Sequence, residues 1–196
     1  MTREMECDSC ICGKGTDSEV AERQLGRAPE GMIKASARCS YGVPTALLCS
    51  PIVARPGRKA KSESQAEPFP TLFWLTCPYM KERVGRLEGG QAFLDIRRRI
   101  AEDAVFETRL KQASDDYRRL RRKLYEDLPG ELKASVGEKA TQDLLASGPG
   151  GVKDYRNIKC LHIHLANFIS GMDDPVGEEA AKLISCMQDD KEGCPD

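Results

Sequence analysis

An α+β domain, in which a small N-terminal β-sheet packs against a mainly helical C-terminal half, is the fold class the sequence predicts. Strand-like segments are confined to the first 80 residues, and from Lys81 onward apolar residues recur at three-to-four spacing. At 196 residues the chain has the length of one compact domain. Such a chain buries roughly 70% of its unfolded surface in one core without disulfide staples.

Residues 1–17 (MTREMECDSCICGKGTD) are polar, glycine-bearing and aperiodic, and read as a flexible cysteine-containing lead-in. A single domain is expected over 18–187 and a tail over 188–196. A short helix is expected from Ser18 to Leu25, ahead of Gly26. In GMIKASARC (31–39), Ile33, Ala35 and Ala37 alternate with Lys34, Ser36 and Arg38, the pattern of a half-buried strand. Tyr41-Gly42-Val43-Pro44 makes a turn. TALLCSPIV (45–53) supplies a second strand, which Pro51 interrupts or places at an edge. RPGRKAKSESQAEP (55–68) is charged and lacks large apolar groups, so it is expected to be an exposed loop. TLFWLTC (71–77) has high β propensity, carries the one tryptophan and reads as a buried strand that Pro78 ends.

In the second half, Val84 and Leu87 precede a Gly89-Gly90 break. Phe93, Ile96, Ile100, Phe106, Leu110, Ala113, Tyr117, Leu120 and Leu124 then mark one long helix or two joined near Ala104. Its other face carries Arg97, Arg98, Arg99, Arg118, Arg119, Arg121 and Arg122. The bland reading is a solvated face balanced by Glu and Asp; the competing one is a surface that docks an acidic partner or RNA. A further helix is expected over 130–146, stopping at SGPGG (147–151), a string able to take positive φ and to approach a ligand closely. KCLHIHLANFI places a helix over 157–169. Asp174 is the expected N-cap, with Pro175 at the first helical position, of a last helix through Met187.

Lys plus Arg number 30 against 31 for Asp plus Glu, a formal charge of -1. The chain therefore has no global pull toward nucleic acid or an anionic membrane, and an anionic ligand or acidic partner would have to engage local charge. Its longest apolar stretches fall well short of the roughly 20 residues that cross a bilayer. The acidic residues in MTREMECDSC are unlike a secretory signal, so the cytoplasm is the expected compartment.

Nine cysteines, an odd number, suit metal binding or thiol chemistry in a reducing compartment better than a disulfide framework. Cys49 and Cys186, in apolar surroundings, read as small buried hydrophobes. The two histidines of the chain, His162 and His164, stand two and four residues after Cys160. Thiolate and imidazole together favour zinc or an iron-bearing centre, and one short segment cannot complete it. Cys39 and Cys77 sit at strand ends, where sites are commonly built. Three thiolates and one imidazole complete a tetrahedral zinc site, whereas three thiolates alone can hold an iron-sulfur cluster with one iron open. At a helix start Cys160 also gains from the helix dipole. Cys160 and His164 share a face at i, i+4, yet His162 can reach at an irregular helix start; both stay open at this point. Cys7, Cys10 and Cys12 form a second candidate clip, with Cys194 the one distant partner. A metal-free arrangement is the third reading, with Cys77 or Cys160 as nucleophile, a histidine as base and the 148–151 loop offering N–H donors. Arg38, Glu88 and Lys159 are candidates for orienting an anionic substrate.

QLGR (24–27), ARCSYGVP (37–44), PFPTLFWLTCP (68–78), RLE (86–88), the GPGG loop, KCLHIHLA (159–166) and DPVG (174–177) together resemble the uncharacterised bacterial family called domain-of-unknown-function family 501. The resemblance implies cysteines of the site at Cys39, Cys77 and Cys160, and favours His162 over His164. Asp174 stands where that family usually has asparagine, and the lead-in and the 55–68 loop are peculiar to this chain. The resulting expectation is a metal-binding protein, zinc or iron-sulfur, whose ligands are Cys39, Cys77, Cys160 and His162, with or without enzymatic activity. Its rivals are an interaction module with a structural zinc and the arginine-rich face, and a metal-free Cys-His thiol enzyme.

Overall fold

The computed structural model describes residues 15–54 and 66–184. The lead-in gives way at Thr16, which caps helix α1 (Asp17–Leu25) in a reciprocal box: Glu19 N–H donates to Thr16 Oγ1 (3.4 Å) and Thr16 N–H to Glu19 Oε2 (2.7 Å). Strands β1 (Met32–Arg38), β2 (Pro44–Cys49) and β5 (Phe73–Leu75) form an antiparallel sheet in the order β1-β2-β5. Strands β3 (Ile52–Ala54) and β4 (Ala66–Pro68) form a separate pair. Pro51 thus divides TALLCSPIV between two sheets, and the end of the expected 55–68 loop is a strand. Residues 55–65 lie outside the described ones, as do Cys7, Cys10, Cys12, Cys186 and Cys194.

The alternation expected in β1 fails at Ile33 and at Ser36, which is half-buried like Ala35 and Ala37. The β1–β2 register shifts between Met32 and Lys34 and again after Ala35, and Ile33 is left 49% exposed. Irregular pairing breaks the period of two that would have turned Ile33 inward.

Pro78 does not simply end the third strand but opens helix α2 (Pro78–Glu88), where its missing N–H costs nothing. The long periodic segment is two helices, α3 (Gln91–Glu102) and α4 (Ala104–Glu126). Asp103 divides them, accepting the N–H of Val105 and Phe106 at 3.0 Å each. The helix expected over 130–146 is also two, α5 (Gly130–Ala134) and α6 (Glu138–Ala146), followed by a 3-10 turn at Pro149–Gly151. Helices α7 (Leu161–Ile169) and α8 (Pro175–Ile184) close the described chain. Asp174 caps α8 as expected, accepting from the N–H groups of Val176 and Gly177 at 3.1 Å.

The main core joins Leu72, Phe73 and Leu75 to Met80, Val84, Ile96, Ile100, Phe106, Leu110 and Tyr117, and to Leu161, Leu165, Val176 and Ile184. Helix α7 lies at its centre, packed on β5, α2 and α8. A Cβ at Gly177 would collide with the carbonyl oxygen of His164, so α7 and α8 meet backbone to backbone. Among the described residues no helix is long and apolar enough to cross a membrane.

The arginine-rich face divides. Arg98 pairs with Asp95 (2.9 Å), Arg99 with Asp103 (3.2 Å) and Glu179 (3.1 Å), Arg118 with Asp115 (2.9 Å), and Arg119 with Asp116. Arg121 departs from the solvated reading altogether: it is 0% exposed, inside the protein.

Candidate metal and thiol site

Helix α7 begins at Cys160, an extended residue in the N-cap position whose side chain makes no capping hydrogen bond. The first N–H groups of a helix need an acceptor, and here it arrives from another element. Glu88, the last residue of α2, accepts the N–H of Leu161 at 2.5 Å and of His162 at 3.3 Å through Oε1. The same oxygen lies 2.9 Å from Nδ1 of His162. Nε2 of that ring lies 3.1 Å from the carbonyl oxygen of Lys81, one turn into α2. Both ring nitrogens therefore face acceptors, an arrangement that suits the doubly protonated imidazolium.

The Cys160 side chain completes the group. One donor atom from each of Glu88, Cys160 and His162 lies within 4.8 Å of the other two, and all three residues are half-buried. Hydrogen bonding to Cys160 pushes the His162 imidazole up to about 9; burial opposes this, and the Glu88 carboxylate and the Lys81 carbonyl add to it.

The family model described as a protein of unknown function (DUF501) matches residues 35–182. The chain belongs to that family. No curated protein and no solved structure matches it. All of Cys39, Cys77, Glu88, Cys160 and His162 fall inside the span matched by the DUF501 model.

In this DUF501 chain the structure brings together two of the four residues that the sequence singled out, Cys160 and His162, and adds Glu88. Among the described residues, no group of three with this spacing includes Cys39 or Cys77. Cys39 lies in the β1–β2 turn, its N–H on the Val43 carbonyl at 2.9 Å and its own carbonyl taking the Gly42 N–H at 2.9 Å. Cys77 precedes α2, where its N–H reaches the Thr45 carbonyl at 3.3 Å. Both thus flank β2 at one end of the sheet. His164 is turned the other way, into the α7–α8 contact, where Nδ1 lies 2.8 Å from Asp174 Oδ2 and the ring is buried. Cys49 is fully buried, and desolvation raises its thiol to about 12, as befits a small apolar filler.

Of the groups suggested for anion binding, Arg38 is bound to Asp17 (2.6 Å) and to the Gly42 carbonyl (2.8 Å), while Lys159 lies along the glycine loop with Nζ 3.4 Å from the Gly150 carbonyl. Glu88 stood in the sequence as the end of RLE and as a candidate for orienting an anionic substrate, not as a companion of Cys160 and His162. Nothing in its spacing announced that it would cap a helix more than seventy residues downstream.

Proposed function

We propose that this protein binds a divalent metal ion of the zinc class through Glu88, Cys160 and His162. The observation that carries the reading is the mutual approach of their three donor atoms, within 4.8 Å, at the junction of α2 and α7. One thiolate, one imidazole and one carboxylate are a zinc-type donor set, and a single sulfur is too few for an iron-sulfur cluster. Three protein donors leave a fourth position for water or a substrate atom, as catalytic zinc sites do. A bound ion there would act as a Lewis acid toward that water or substrate oxygen. The protein supplies the rest: α2 and α7 would fix the donors, and the Lys81 carbonyl, facing Nε2 on the far side of the imidazole, would orient the ring. Cys39 and Cys77 are left out of this shell.

Metal analysis of anaerobically purified protein tests it. About one zinc per chain is expected in the parent, falling to about a tenth or less in Cys160→Ser and in His162→Ala, with Cys39→Ser and Cys77→Ser unaffected. Iron with inorganic sulfide, or zinc retained by both variants, overturns it.

One observation favours a second reading. With both nitrogens engaged and Cys160 raising its proton affinity, His162 is arranged as a cationic partner for the Cys160 sulfur, and Glu88 as the group that orients the ring. A metal-free protein in which iodoacetamide reaches Cys160 far faster than Cys39 or Cys77, with no gain from added zinc in any property, selects nucleophilic thiol chemistry instead.

A further inference from the structure

We infer that Arg121 is a positioning residue for the Cys160–His162 turn and acts on it through the glycine loop at 147–151. This deepens the reading above and rests on it, but its test does not depend on metal. Arg121 lies on α4, is 0% exposed, and has only neutral acceptors among its hydrogen-bond partners. Nη1 donates to the Leu144 carbonyl (2.7 Å), to the Ser147 carbonyl and to Ser147 Oγ (3.2 Å). Nη2 donates to the carbonyls of Pro70 (2.6 Å) and Gly148 (2.9 Å). Taking a guanidinium out of water with no carboxylate beside it is costly, and an apolar side chain of that size would fill the space more cheaply. What the planar fork alone can do is hold three chain segments in one fixed orientation: the approach to β5, the end of α6 and the loop.

The loop in turn bears on the site. Gly150 has φ +68, and a Cβ there would meet Ile163 Cδ1 at 2.7 Å and Lys159 Cδ at 3.3 Å. These two residues bracket Cys160 and His162 in the chain. Gly151 rests on Pro70, where a Cβ would lie 3.4 Å from that ring, and the Pro70 carbonyl is one of the acceptors of Arg121. Contact is therefore continuous from Arg121 through Ser147 and Gly148 to Gly150, and from Gly150 to both sides of the turn that carries the thiol and the imidazole. The first turn of α7 is set from outside the helix, by Glu88 on one side and by this clamped loop on the other.

A matched pair of glycine variants separates positioning from mere stability. Gly150→Ala and Gly171→Ala both force a side chain into positive φ (+68 and +94), but a Cβ at Gly171, just past the other end of α7, has nothing within 4 Å. The readouts, taken on metal-free protein, are the iodoacetamide rate at Cys160 relative to Cys39 in the same molecule and the NMR signals of the His162 ring. Gly150→Ala and Arg121→Met are expected to change that relative rate by about tenfold or more and to move the ring signals, Arg121→Lys to restore neither fully, and Gly171→Ala to do neither at equal loss of thermal stability. A folded Gly150→Ala protein with parental rate and ring signals overturns the proposal, whether or not Arg121→Met folds. So does Gly171→Ala matching Gly150→Ala in both readouts.

Discussion

The Glu88 carboxylate holds His162 twice, taking its backbone N–H at 3.3 Å and facing its ring Nδ1 at 2.9 Å through one oxygen. With the Leu161 N–H at 2.5 Å on the same atom, Glu88 does the work of the N-cap that Cys160 leaves undone. The substitution of a distant carboxylate for a local cap leaves the sulfur of Cys160 available for other chemistry at the head of the helix.

Removing that carboxylate orphans two helix N–H groups. Glu88→Ala is expected to lower the unfolding free energy by about 1–2 kcal/mol, read from the urea midpoint at unchanged slope. In the same variant the His162 ring signals should shift. A midpoint equal to the parent's contradicts the cap.

The Cys49 thiol gives a signed pH dependence. Its ordinary value is near 9 and burial raises it to about 12. Between those values the unfolded chain has released this proton and the folded one retains it. Cys49 therefore contributes a loss of stability as pH rises through that window, by up to about 1.4 kcal/mol per pH unit. Stability measured from pH 9 to 11 should fall less steeply in Cys49→Ala than in the parent, and parallel curves would contradict the assignment.

Tyr117 links α4 to the segment before β5: its hydroxyl accepts the Leu72 N–H at 2.6 Å and donates to the Pro70 carbonyl at 3.0 Å. Leu72 is fully buried, so Tyr117→Phe leaves its N–H without an acceptor and is expected to cost about 2 kcal/mol in chemical denaturation. A cost near zero would mean that this N–H finds another partner.

At the α7–α8 crossing the limit is steric. Gly177→Ala places a methyl group against the His164 carbonyl and must push the helices apart, for a loss of about 3 kcal/mol in thermal or chemical unfolding. Wild-type stability in this variant would show that the two backbones are not in contact.

How much of this was legible in the sequence follows from the range of the interactions. The cap at Asp174, the stop at Gly89-Gly90 and the burial of Cys49 are local matters of residue type and neighbours, and each was read correctly. Pro78 was read as a strand end when it is equally a helix start, because proline satisfies both. Arg121 looked like its neighbours Arg119 and Arg122; only the fold, which brings four carbonyl oxygens to its guanidinium, distinguishes it. Of the candidate site, the pairing of Cys160 with His162 was legible because they stand two residues apart in the sequence, while the approach of Glu88 to them required knowing where the end of α2 meets the start of α7.

The most direct test of the central claim is X-ray absorption at the zinc edge of protein loaded with one equivalent of the metal. A shell of one sulfur at about 2.3 Å with nitrogen and oxygen donors, losing its sulfur in Cys160→Ser, is the predicted result. A shell of three or four sulfurs, or one without sulfur in the parent protein, would contradict it.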